Sequence, residues 1–74
     1  MKVYLDTAKK VNEFVEAISE CPIDIDVTSE KYVVNGKSII GVLSLNLFEP
    51  VIVFPHGDIP ESVMQKIKKF EVKN

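Results

Sequence analysis

Ser38-Ile39-Ile40-Gly41-Val42-Leu43-Ser44-Leu45 is the stretch on which the fold turns. It is an apolar run of a length that suits either a strand or a short buried helix. β-Branched Ile39, Ile40 and Val42 favour a strand. Ser38 in an N-cap position, with Ile39, Val42 and Leu43 at helical spacing, favours a helix. Pattern alone leaves the two close to even.

The flanking segments read more clearly. Upstream, Val3-Tyr4-Leu5 is short, apolar and β-prone, and reads as a first strand. Asp6-Thr7 then offers two N-cap candidates. From Ala8 to Cys21 the period becomes helical, with Ala8, Val11, Phe14, Val15 and Ile18 on one stripe. Pro22 ends that helix. Ile23, Ile25 and Val27 alternate with Asp24, Asp26 and Thr28, a half-buried strand with one wet face. After the polar break Ser29-Glu30-Lys31, Tyr32-Val33-Val34 resumes β character, so residues 23–34 read as a hairpin. Asn35-Gly36 reads as the exit from the third strand.

Downstream, Pro50-Val51-Ile52-Val53-Phe54 reads as a fourth strand and Pro55-His56-Gly57 as a turn. Asp58, with Pro60 in the first turn and Glu61 three residues on, predicts a helix start. Val63, Ile67 and Phe70 form its buried stripe. Lys66, Lys68 and Lys69 sit toward its C-terminus, where cations suit the dipole. The order is β-α-β-β-(α)-β-α. The first two strands and their helix form a right-handed unit, and the fourth strand fills the slot between them, antiparallel to both. That is a two-layer α+β sandwich with helices on one face of the sheet.

Composition bounds the function. Seventy-four residues make one domain, 1–74. A chain of that size buries only about 60% of its unfolded surface, so a homodimer is one way to add burial. Nine Lys, no Arg and a net charge of −2 argue against direct nucleic-acid binding. A single Cys excludes an internal disulfide and points to a reducing, cytoplasmic setting. No stretch reaches the roughly 20 apolar residues of a membrane span, and the N-terminus lacks the apolar core of a signal peptide.

Lys37-Ser38-Ile39-Ile40-Gly41-Val42-Leu43-Ser44-Leu45 resembles the serine-site segment of the phosphocarrier protein HPr family of the bacterial sugar phosphotransferase system. The resemblance covers nearly the whole chain in element order. It implies an open-faced sandwich with strand order 1-4-2-3, and it makes the undecided segment the short second helix. In that family a histidine at the start of the first helix takes phosphate from phosphoenolpyruvate by way of Enzyme I and passes it to a sugar permease subunit. The family's Gly-Ile-His-Ala-Arg-Pro corresponds here to Asp6-Thr7-Ala8-Lys9-Lys10. Thr7 falls on the histidine, Ala8 matches, Lys9 replaces the arginine and Lys10 the proline.

An imidazole titrates near neutrality and forms a labile phosphoramidate, whereas a Thr hydroxyl would form a stable ester. Lys9 lacks the fork of a guanidinium. The resemblance therefore implies a degenerate carrier site at Thr7 and Lys9, with Thr7 serving as an N-cap worth about 1 kcal/mol. Ser38 is retained. In HPr of Gram-positive bacteria the matching serine is phosphorylated by a dedicated kinase, and the product acts with a transcription regulator. Lys37 lies beside it. Ser38 is equally well an N-cap. Ile40 and Leu43 match residues through which the family docks on Enzyme I, the kinase and the regulator, unless they are core here. Leu47 and Phe48 extend the apolar stretch.

The remaining candidates carry less. His56, the only histidine, offers an alternative carrier site, oriented by Asp58 or the last helix, but reads best as an exposed turn residue. Cys21 lacks a base partner and reads as filler. One Cys and one His at unrelated spacing make no metal site. Asp24 and Asp26 share a strand face, most simply a solvated one. No catalytic motif and no cofactor loop stand out. The expectation is a non-enzymatic, cofactor-free regulator or adaptor, nearest in type to the catabolite-repression homologue of HPr. Its partners would be proteins of the phosphotransferase or catabolite-regulation type. The alternatives are a carrier working through His56 and an interaction domain with an inherited fold.

Overall fold

A computed structural model of the chain describes residues 1–72; the last two residues of the domain expected over 1–74 lie outside the described residues. Strand β1 is Lys2–Val3, helix α1 Ala8–Ser19, β2 Ile25–Ser29, β3 Tyr32–Asn35, α2 Ile39–Leu43, β4 Val51–Pro55 and α3 Glu61–Ile67, continued by a 3₁₀ turn over Lys68–Phe70. The strands form one antiparallel sheet in the order β1-β4-β2-β3. The undecided stretch is a helix. Ser38 Oγ accepts from the Gly41 amide at 3.1 Å, and of the apolar side chains in α2 only Val42 is buried. A lone five-residue helix is not stable by itself; Val42 anchors it to the core, and α2 lies against α1 and β3.

The core forms between the sheet and the helices. Val3, Ile25, Val27, Val51 and Val53 point inward from the strands. Val11, Phe14, Val15, Ala17 and Ile18 of α1, with Val63, Ile67 and Phe70, meet them. Phe14 and Phe70 stack edge to face, with centroids 6.2 Å apart. Gly36 is fixed by close packing: a Cβ there would come within 2.9 Å of both Ile18 Cδ1 and the Ile25 carbonyl oxygen.

Several boundaries differ from the sequence reading, each for a local reason. β1 ends at Val3, opposite Val51 where β4 begins; beyond it the Tyr4 amide, which faces away from β4, bonds the Phe70 carbonyl at 2.9 Å and Leu5 enters the core. On the same side the Val72 amide reaches the Lys2 carbonyl and Glu71 bridges to Val3, so the chain's last turn covers that edge of the sheet. In α1, Ala8 is exposed and Ala17 takes its place in the stripe. The helix stops at Ser19, and the Cys21 amide closes a final tight turn on the Ile18 carbonyl.

Ile23 lies outside β2, half-buried, with its side chain against Gly57. β4 runs one residue further than expected, to Pro55. Proline is tolerated there because Pro55 sits in a non-bonded position opposite Ile25, and the short β1 leaves no ladder on its other side. Asp58 does not cap the last helix. The cap position is Pro60, in extended geometry (φ −56°, ψ 145°) and without a side-chain capping bond. A proline drives the residue before it extended, so the helix cannot start ahead of Ile59-Pro60.

Candidate functional site

Thr7 caps α1: its Oγ1 accepts from the Lys10 amide at 3.1 Å. Lys10 reaches back to Asp6, with Nζ and Oδ1 2.7 Å apart. That hydrogen bond, more than the charge attraction beside it, holds the Asp6 carboxyl below its ordinary value, so Asp6 remains anionic at neutral pH. Lys9 is exposed. The start of α1 thus carries a hydroxyl that is already a hydrogen-bond acceptor, with a fixed carboxylate next to it. Both groups are already engaged, the hydroxyl by the Lys10 amide and the carboxylate by the Lys10 ammonium.

His56 is placed far from this point. β1 pairs with β4 through Lys2–Ile52 and Val3–Val51, so α1 begins beside the start of β4. His56 follows the end of β4, and its amide bonds the Asp24 carbonyl at 2.9 Å. The imidazole Nε2 lies 2.7 Å from Asp26 Oδ2. Asp24, Asp26, Asn35 and His56 line one shallow recess on the open side of the sheet. Asp26, and neither Asp58 nor the last helix, orients the ring. The signal for this pairing was present in the alternation of β2: antiparallel β4 sets His56 opposite Asp24, with Asp26 next on the same face. Among the described residues no three His, Cys, Asp or Glu side chains are grouped to hold a metal ion.

Ser38 is half-buried at the head of α2. A second recess, between α1 and α2, is lined by Val15, Glu16, Ser19 and Glu20 on one side and by Lys37, Ser38, Ile39 and Ile40 on the other. Lys37 does not point freely into it: its ammonium donates to the Cys21 carbonyl at 2.6 Å, tying the end of α1 to the start of α2. Glu20 is held by Lys66 at 2.8 Å. The acidic wall disfavours a free anion in this recess. Cys21 is buried, as filler would be.

The apolar face of α2 is the most exposed feature of the site. Ile40 is 82% exposed and Leu43 44%, with Ile39 beside them and Phe48, at 91%, further along the loop to β4. Leu47 is half-buried and packs on the core. The helix resolves which of the two ways these residues face: Val42 turns inward, and the helical twist carries Ile40 and Leu43 outward. Phe48 as the most exposed of the group was not legible from its position in an apolar run.

No protein-family model, curated protein or solved structure matches the chain. No helix among the described residues is long and apolar enough to cross a membrane.

Proposed function

We propose that the chain is a non-catalytic, protein-binding domain of the HPr type, which docks on regulatory partners through the apolar face of α2 and does not relay phosphate. One observation carries the reading: Ile40 and Leu43 stand in solvent on one short helix, with Phe48 exposed in the loop that follows, while Val42 alone anchors that helix. Large exposed apolar side chains clustered on so small a domain mark a contact surface. The capped state of Thr7 supports the second half of the proposal, because its hydroxyl is engaged at the helix start and no imidazole stands there. His56 is a poor substitute, since its Nε2 is already engaged by Asp26 at 2.7 Å and it stands far from the helix start. This reading needs no cofactor and places the protein in the cytoplasm, with partners of the phosphotransferase or catabolite-regulation class.

Ser38 gives the docking face a means of control. Its hydroxyl sits at the rim of the α1–α2 recess, next to Ile39 and Ile40. A phosphoryl group there would add close to two negative charges beside Glu16 and Glu20, and so change which partner surface fits. The experiment is an intact-mass measurement after two separate incubations, one with phosphoenolpyruvate and Enzyme I and one with ATP and HPr kinase. The proposal expects no phosphate in the first and phosphate on Ser38 in the second. A phosphohistidine at His56 in the first would overturn the non-relay reading. An unmodified Ser38 would remove the switch and leave the docking face to be tested by binding.

A further inference from the structure

Lys37 stands at the head of the exposed helix α2 but turns its charge toward another helix. It is half-buried, it lines the α1–α2 recess, and its ammonium donates to the Cys21 carbonyl at 2.6 Å. That carbonyl lies just past the end of α1, where helix carbonyls lack partners within the helix and a cation suits the dipole. Lys37 is the one cation among the residues lining the recess, yet neither Glu16 nor Glu20 pairs with it. Its backbone is fixed from the other side. Asn35 Oδ1 accepts from the Lys37 amide at 2.9 Å, and the Asn35 carbonyl accepts from the Ser38 amide at 3.0 Å. The Gly36 amide bonds the Ile25 carbonyl at 2.7 Å. The approach to α2 is thus tied to the sheet through its backbone and to α1 through one side chain. The helix itself has little else to hold it. It caps itself through Ser38 and Ser44 and buries only Val42. A helix of five residues does not persist alone, and a segment with few buried apolar groups opens ahead of the rest of a fold.

We propose that α2 opens and closes as a unit, ahead of the rest of the domain, and that Lys37 is the latch that holds it closed. Two groups secure the helix, and they differ in kind. Val42 secures it by burial, and releasing Val42 exposes core. Lys37 secures it by one bond to a different helix, made by a strongly hydrated ammonium that exchanges readily for water. The bond is therefore the step that can be broken and remade while the sheet and α1 stay intact. When the latch is closed, Ile40 and Leu43 project from a fixed helix. When it is open, Val42 leaves the core and the two side chains share no defined face. A partner that needs the helix meets a competent surface only in the latched fraction. Lys37 is in this respect a positioning residue for α2 and not part of the surface that a partner touches. Its link to docking rests on the reading of α2 as the contact surface; the opening itself does not.

The test is amide hydrogen exchange of the free protein, read at Val42, Ser44 and Leu45, whose amides bond the Ser38, Ile40 and Val42 carbonyls. No partner is added, so a failure of the docking reading leaves this result standing. In the wild-type chain these amides are expected to exchange together and faster than Phe14 and Ile18 in the core of α1. Lys37→Met keeps the apolar stem and removes the ammonium. It should speed the α2 amides by about tenfold or more, as for the loss of one hydrogen bond to a charged group, and leave Phe14 and Ile18 unchanged. Lys37→Arg keeps a cationic donor and should exchange like wild type. Wild-type α2 amides that exchange no faster than Phe14 and Ile18 would overturn the proposal, and this arm decides the matter if Lys37→Met fails to fold. So would α2 exchange that Lys37→Met leaves unchanged. Acceleration of α2 and α1 by the same factor would overturn it too, since that is a loss of global stability with no latch.

Discussion

Thr7 and His56 stand at opposite ends of the sheet. Thr7 heads α1 beside the start of β4, and His56 follows the end of β4, its ring held by Asp26 at 2.7 Å. The chain's one imidazole and the position where a carrier histidine would be expected cannot act on a common phosphate. Each place makes a separate prediction.

At Thr7 the prediction concerns helix capping. Thr7→Ala removes the acceptor for the Lys10 amide and should cost about 1 kcal/mol of stability, while Thr7→Ser should stay close to wild type. Denaturant unfolding of the three proteins checks this. Equal loss in both variants would mean that the hydroxyl is not the group that matters.

The His56–Asp26 pair is exposed on both sides, with side chains 52% and 36% accessible. Exposed pairs are weak because solvent screens them. His56→Ala should therefore lower stability by less than about 1 kcal/mol. A larger loss in thermal unfolding would assign the imidazole a structural role beyond this hydrogen bond.

The Asp6–Lys10 pair makes a prediction with a sign. The folded pKa of Asp6 is depressed, so whatever the pair contributes is present above the ordinary carboxylate value of 3.8 and is lost as pH falls through the lower folded value. Lys10→Met should return the Asp6 titration, followed by NMR, toward 3.8. An Asp6 midpoint that does not move would show that Lys10 is not the cause.

Much of the fold was legible because strong local signals agreed with it. The helical stripe of α1 and the alternation in β2 each pointed to one element. Boundaries were less legible where a distant partner decides them. Nothing local to Val3-Tyr4-Leu5 announces that its partner strand will begin only at Val51. Asp58 carried a strong capping signal, and the Ile59-Pro60 step overrode it through backbone sterics. For α2, β-branched residues argued for a strand, and the helix is held by Ser38 capping and the burial of Val42, a tertiary contact no window of sequence contains. The candidate site was legible in its residues but not in its geometry. Lys37 engages Cys21, sixteen residues away, and His56, at the end of β4, engages Asp26 on the neighbouring β2.

The docking face also separates surface from core by mutation. Ile40→Asp with Leu43→Asp should leave the domain folded, since both side chains already meet water. Val42→Asp should unfold it, because a charge would be set in the apolar core. Circular dichroism melts distinguish the two. Unfolding of the double variant would return Ile40 and Leu43 to a packing role.

The most direct test of the docking claim is an NMR titration of the isotope-labelled protein with HPr kinase, following backbone amides. The account predicts that the largest shifts cluster at Ile39–Leu43 and Phe48 and vanish in the Ile40→Asp, Leu43→Asp protein. Shifts centred on Thr7 or His56, or no shifts at α2 at saturating partner, would contradict it.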